Sequence, residues 1–184
     1  IKEAEIPCFY AGEKTCCFGA RFFGDRQKTA EDFSELYQLL QKKRGVEQNV
    51  PIRSGQRPSV KKCTFSEAEE LATFYRDIFV SYPFPLTSTP FICLSMREKC
   101  NYYYIRKEGK IVAAAAADID KEHQYAEMTD FATSHNYTGK GFATILLHHL
   151  EEDLDPAEVK TVFTIARSRS LSMNRVFQKC GYTY

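Results

Sequence analysis

Glu127 and Asp130 lie three residues apart in AEMTDFAT, and Gly139 and Gly141 follow in the run NYTGKGF. A carboxylate at a reactive site takes up a proton or holds a cation. The glycines let the backbone approach a ligand closely. A helix starting just after them offers unpaired N–H groups and the positive end of its dipole. Phosphate or pyrophosphate is the ligand such a turn favours. A tight strand-to-helix turn uses the same residues, so the glycines alone leave both readings open. Lys140 adds charge beside the turn, although a solvated lysine is its commoner state. A regular strand would send Glu127 and Asp130 to opposite faces, so they would not share one task. A bend or bulge is expected here, which leaves their faces open.

These residues need a scaffold, and the patterning predicts one. A strand over 126–133, a helix over 141–153, a strand over 160–165 and a helix over 171–179 form the β-α-β-α run of an α/β or α+β domain. Upstream, KKCTF (61–65) reads as a strand. Ser66-x-x-Glu69 then opens a helix with Leu71, Phe74, Tyr75 and Ile78 on one face. That helix must stop near SYPFP because Pro83 and Pro85 cannot continue it. Thr89-Pro90 reads as an N-cap and first-turn proline for a helix to about Lys99. A hairpin is expected around Glu108-Gly109, although Ala113 to Ala117 favour helix by propensity.

The first 58 residues read as a separate hairpin-helix subdomain and linker, with the main domain over 59–184. The hairpin turns at Gly12-Glu13-Lys14, and a helix follows over about 30–44 with the apolar stripe Phe33, Leu36, Tyr37 and Leu40. That stripe predicts packing against the main domain. GVEQNVPIRSGQRP then loses periodicity and marks the boundary. The sequence starts without Met and stops on CGYTY, which reads as a strand beginning, so residues are expected beyond both ends.

Composition narrows the function classes. Net charge is +1 from 25 basic and 24 acidic residues, so no global field favours nucleic acid or an anionic membrane. The seven cysteines contain no CxxC pair and their number is odd, which fits free thiols in a reduced, cytoplasmic chain. No apolar run reaches the ~18 residues of a membrane span. His123, His135, His148 and His149 have no metal-ligand spacing, so no metal is expected.

A second motif, SMNRVFQKCGY (172–182), follows the strand VFTIA. With Asn136-Tyr-Thr-Gly139-Lys-Gly141 it resembles, in order and separation, the two cofactor motifs of the GCN5-related N-acetyltransferases. The resemblance implies a mixed, splayed sheet flanked by helices, with acetyl-CoA in the split between strands 126–133 and 160–165. It implies pyrophosphate on the N–H groups of Thr138, Gly139, Lys140, Gly141, Phe142 and Ala143. Pantetheine would pair with the backbone of Phe131, Ala132 and Thr133, and Asn174 and Phe177 would border the cofactor. Three positions depart from the pattern: Asn136 stands for a Gln or Arg, Thr138 for an Arg, and Phe177 for the tyrosine that often acts as general acid. No general acid is assigned, because a thiolate with a pKa near ~8.5 is a tolerable leaving group.

DIFVSYPFP, AEMTDFAT, TIARS and MNRVFQKCGYTY, with FYAGEKTCCFGARFF near the start, are similar to the β-lysine N6-acetyltransferases. That likeness implies acetylation of the terminal amine of β-lysine to N6-acetyl-β-lysine, a compatible solute, and a role in salt adaptation. The amine, with a pKa near ~10.4, must lose a proton before transfer. Asp130 is preferred as base or amine anchor, with Glu127 second; both also fit as salt-bridged strand residues. Arg167 is the first choice for the substrate carboxylate, because its fork binds both oxygens. Tyr82 and Phe84 would wall the acceptor pocket, with core packing as the competing role. The expected partner is a small-molecule amine, with no nucleic acid or membrane, and the oligomeric state stays open, a homodimer included. The alternatives are a protein or polyamine acetyltransferase and a CoA-binding protein that has lost catalysis.

Overall fold

The computed structural model describes residues 2–19, 38, 58–167 and 170–183. Apart from Gln38, the expected helix over 30–44, with its apolar stripe, lies outside the described residues. Strands β1 (Lys2–Tyr10) and β2 (Lys14–Gly19) form an antiparallel hairpin. The main sheet has the order β3-β4-β5-β6-β7, from Val60–Lys62, Cys100–Lys107, Lys110–Asp120, Tyr125–Thr133 and Thr161–Phe163. Its neighbours run antiparallel except β6 and β7, which are parallel, so the sheet is mixed. Helices α1 (Ala68–Ile78) and α2 (Thr89–Glu98) serve one face. Helices α3 (Phe142–Glu152) and α4 (Leu171–Lys179) serve the other.

Local chemistry explains the element ends, with two corrections. The capping box before α1 is Thr64 with Glu67, not Ser66 with Glu69: the Thr64 N–H and hydroxyl donate to Glu67 Oε2 at 2.9 and 2.8 Å. A short 3-10 turn, Phe65–Glu67, therefore precedes the helix. Ser88 rather than Thr89 is the N-cap of α2, so Pro90 stands at the second position of the first turn, where its missing N–H still costs nothing. Helix α1 buries Leu71, Phe74 and Tyr75 as its periodicity requires, each withdrawal from water worth about 1.5–3 kcal/mol.

The alanine run is a strand. β5 is central, with Ala114 and Ala116 packed toward α1 and Ala113, Ala115 and Ala117 toward α3. Burial on both faces overrides a helix preference of a few tenths of a kcal/mol per residue. The β4–β5 hairpin turns at Glu108-Gly109 with φ of +50° and +78°, as a two-residue turn of the primed type requires.

The β1–β2 hairpin seats on the β7 end of the sheet. Phe9, 3% exposed, lies between Tyr10, Phe18, Tyr125 and Phe163 at centroid distances of 4.6–6.5 Å. Thr161 Oγ1 donates to the Cys8 carbonyl at 2.9 Å, and the Ala11 N–H donates to the His123 carbonyl at 2.9 Å.

Candidate active site

Two irregularities in β6 create the site. Beside β7 the parallel pairing runs only from Tyr125↔Thr161 to Glu127↔Phe163. Thr164 Oγ1 then donates to the Met128 carbonyl at 2.8 Å, closing the ladder with a side chain. Beyond that point the strands part, and the backbone edge of residues 129–133 is left for another partner. Beside β5, Ala116 pairs with Thr129 but Ala114 pairs with Ala132, so one residue of β5 opposes two of β6. This β-bulge places Asp130 at φ +57°, the left-handed region that Asp tolerates better than most residues.

The expected irregularity is this bulge, and it decides the faces that a regular strand would have kept apart. Glu127 lies directly opposite Asp118, which lies opposite Cys100, a core residue of the α1/α2 side. Asp130 receives a 2.7 Å hydrogen bond from the Tyr82 hydroxyl, also of that side. One inserted residue shifts the alternation, so both carboxylates share a face.

Their surroundings differ. Asp130 is 6% exposed, and burial pushes its carboxyl up to about 6, against the opposing pull of hydrogen bonds from Tyr82 and Thr129. Glu127 is half-buried and its carboxyl is pushed up to about 7, first by burial and then by the charges of Asp118 and Asp130. Asp118 is bridged by Lys99 at 3.0 Å. Glu127 thus combines access with proton affinity near neutrality, the pairing a general base needs. Asp130 is the more fixed of the two.

The loop between α1 and α2 covers this face. Tyr82 stacks on Phe79 (4.5 Å), and Phe79 stacks on Tyr75 (5.7 Å). Burial and the Asp130 carboxylate push the Tyr82 phenol well above its ordinary value, so it stays a donor. Arg167, exposed, donates from Nη2 to the Ser81 carbonyl at 3.0 Å, which brings the guanidinium beside Tyr82. Asn174, 2% exposed, donates from Nδ2 to the carbonyls of Arg167 (3.0 Å) and Ser170 (2.9 Å), tying the post-β7 loop to α4. Phe84 takes no part in the aromatic stack among the described residues and is 59% exposed.

The other end of β6 leads through a 3-10 turn, His135–Tyr137, into α3. Gly139 and Gly141 have φ of +72° and +81°, and a Cβ built on either meets nothing within 4 Å, so open space lies over the turn. The first turn of α3 carries no acidic residue, and its 11 residues start from exposed backbone. Helix-start N–H groups, a positive dipole end and a first turn without a carboxylate fit a phosphate. Thr138 spends its hydroxyl on the His135 carbonyl (2.8 Å), and Lys140 lies 4.3 Å over the Tyr137 ring. Phe142 is buried in the α3 core. Asn136 and Tyr137 border a cavity of about 590 Å³ that Lys107, Lys110, Asp77 and Glu108 also line. Phe177 is 3% exposed and meets Phe131 edge-on at 5.4 Å, so no hydroxyl stands at that position.

Sequence reasoning passed over Asp118, Lys99 and Thr164. Asp118 was recoverable by counting outward from the β5–β6 turn, since Asp120 pairs with Tyr125 and Asp118 then meets Glu127. Lys99 and Thr164 carried no such signal. Among the described residues no group of His, Cys, Asp and Glu could hold a metal ion, and no helix is long and apolar enough to cross a membrane. His148 meets Glu151 at 3.3 Å, and His149 lies edge-on to Tyr103. All seven cysteines are free.

Comparison with known proteins agrees with this geometry. A family model described as the Acetyltransferase (GNAT) family matches residues 68–182. The chain is 30% identical over 184 residues to a β-lysine N(6)-acetyltransferase of Methanococcus maripaludis, covering all of this chain and 67% of that protein. It is 25% identical to N-acetyltransferase YodP of Bacillus subtilis, covering 99% of this chain and 66% of that protein. A β-lysine N(6)-acetyltransferase of Methanosarcina mazei is 31% identical over 143 residues, 78% of this chain and 51% of that protein. The chain therefore spans between half and two thirds of these relatives. Among solved structures, AAC(6')-Iy in complex with a bisubstrate analog shares the fold with a TM-score of 0.59 at 9% identity, over 70% of this chain and 92% of that one. A predicted acetyltransferase with acetyl-CoA from Clostridium acetobutylicum gives 0.58 at 15% identity, over 70% and 91%. The split sheet, the open glycine turn and the matched residues together place the chain in the acetyltransferase (GNAT) family, as an N-acetyltransferase whose acetyl donor is acetyl-CoA.

Proposed function

We propose that the chain acetylates the terminal amine of a small cationic amino acid, β-lysine first, to give N6-acetyl-β-lysine. The observation that carries this reading is the bulge at Asp130, which gathers Glu127, Asp130 and Asp118 on one face beside Tyr82, with Arg167 held to the same loop. Carboxylates suit the acceptor's ammonium, and the guanidinium suits its carboxylate. The two relatives named as β-lysine acetyltransferases support the choice of acceptor.

The Thr138 N–H is spent on the His135 carbonyl at 3.3 Å, so the N–H groups of residues 139–143 would hold the pyrophosphate of acetyl-CoA, and the free edge of 131–133 its pantetheine arm. Bound there, acetyl-CoA supplies the acetyl group as a thioester that a neutral amine attacks. Glu127, with its carboxyl near 7, takes the proton from the ammonium at neutral pH. Asp130, fixed by Tyr82, anchors the same amine. Arg167 grips the acceptor carboxylate, which sets the terminal amine toward β6. No residue is given the general-acid role, because Phe177 has no proton to donate. A cytoplasmic enzyme of compatible-solute synthesis follows from that product and belongs to the same proposal.

The test is a steady-state assay with acetyl-CoA and β-lysine, lysine, cadaverine, spermidine and a lysine-bearing peptide. The expected result is a kcat/KM for β-lysine at least tenfold above that for cadaverine. Preference for spermidine or the peptide would reassign the acceptor. Binding of CoA with no turnover on any amine would leave a binding protein.

A further inference from the structure

Asp118 and Glu127 face each other directly across the antiparallel β5/β6 ladder, and Cys100 completes the row from β4. Like charges placed opposite each other on a sheet are destabilising, so a chain that keeps such a pair gains something by it. A single cation meets the row among the described residues: Lys99, following α2, bridges Asp118 at 3.0 Å. The charged groups that face Glu127 are Asp118 from β5, Asp130 from its own strand and Lys99 from the end of α2. On the β7 side its partner is Phe163, which does not ionise. Burial holds the Cys100 thiol protonated, so it adds no charge.

We propose that Asp118 is a positioning residue for catalysis: with Lys99 as its counter-ion, it sets the field across the ladder in which Glu127 takes the acceptor's proton. The proposal rests on the reading above that Glu127 is the proton acceptor. The step is the transfer of one proton from the substrate ammonium to the Glu127 carboxylate, leaving a neutral amine and a neutral carboxyl. The Asp118 charge strengthens the pull of Glu127 on that proton, and Lys99 limits the effect. The two residues therefore act in opposite directions on the same group. A pair that only pinned β5 to α2 would move both variants alike.

The experiment follows the Glu127 carboxyl by carbon NMR through a pH titration of the full chain, with Glu127→Gln assigning the resonance. The same proteins are assayed for kcat/KM on β-lysine across pH. Asp118→Asn removes a negative neighbour and is expected to lower the Glu127 midpoint by about one pH unit, an order-of-magnitude figure for one charge at a part-solvated distance of a few ångströms. Lys99→Met removes the cation and is expected to raise it. The acid limb of kcat/KM should move with each midpoint. Midpoints that stay still, or shift the same way in both variants, overturn the proposal. Midpoints that separate while the acid limb stays fixed would strike the assignment of Glu127 as proton acceptor, a distinct failure.

Discussion

Replacing Asp130 by Asn should make the protein more stable at pH 8 and less active. The Asp130 carboxyl rises from an ordinary 3.8 to about 6 because burial disfavours its charged form. That difference of about two pH units, at 1.36 kcal/mol each, makes ionisation of this one group cost the fold about 3 kcal/mol. The sign follows from the raised folded value. Below about 3.8 the group is protonated in both states and costs nothing. Between 3.8 and 6 the unfolded chain ionises first, and stability falls as pH rises. Above 6 the full cost is present. Asn keeps the shape, the tolerance for φ +57° and an oxygen to accept from the Tyr82 hydroxyl, but carries no charge. Urea unfolding of both proteins at pH 3.5 and pH 8 should therefore give a difference of a few tenths of a kcal/mol at the lower pH. At pH 8 the Asn variant should lead by about 2–3 kcal/mol. Equal differences at both values would mean that Asp130 is not held against its charge, and the account of the buried carboxylate would fall.

Gly141→Asp should lower acetyl-CoA affinity at least tenfold by calorimetry, since it adds a negative charge at the α3 N-terminus and a Cβ at φ +81°; circular dichroism should stay unchanged. An unaltered Kd with an intact fold would make the turn structural only. Arg167→Ala should raise the KM for β-lysine roughly 10- to 150-fold, the value of a charge-assisted contact of ~1.5 to 3 kcal/mol, and leave cadaverine nearly untouched. Equal losses on both amines would give Arg167 a role in the loop it ties through Ser81. Phe9→Ala empties a site 3% exposed among four rings and should cost about 3–5 kcal/mol of hairpin docking, read as lost hydrogen-exchange protection in β1 and β2. Unchanged protection there would refute the hairpin's seating on the sheet.

The sequence alone carried most of what rests on short-range pattern, although the caps of α1 and α2 fall one or two residues before the positions it indicated. The glycines at 139 and 141 and the helix that follows them announce themselves because each answers a local backbone demand: a positive φ and a helix start. The family likeness and the cofactor motif follow from the same short stretches. The hairpin at Glu108-Gly109 was legible from its turn chemistry even though Ala113 to Ala117 argued for helix. Strand formation in that run is a tertiary decision, made by helices packing on both faces of β5. Pairing across β5, β6 and β7 decided the acceptor side. An inserted residue opposite Ala115 turned Asp130 onto the face of Glu127, and ladder register brought Asp118 to the same place. Faces in a sheet alternate with a period of two, so one bulge reverses every assignment beyond it, and no local propensity records where the bulge falls. Which carboxylate is locked and which is free to titrate depends in turn on Tyr82, 48 residues away in sequence and 2.7 Å away in space.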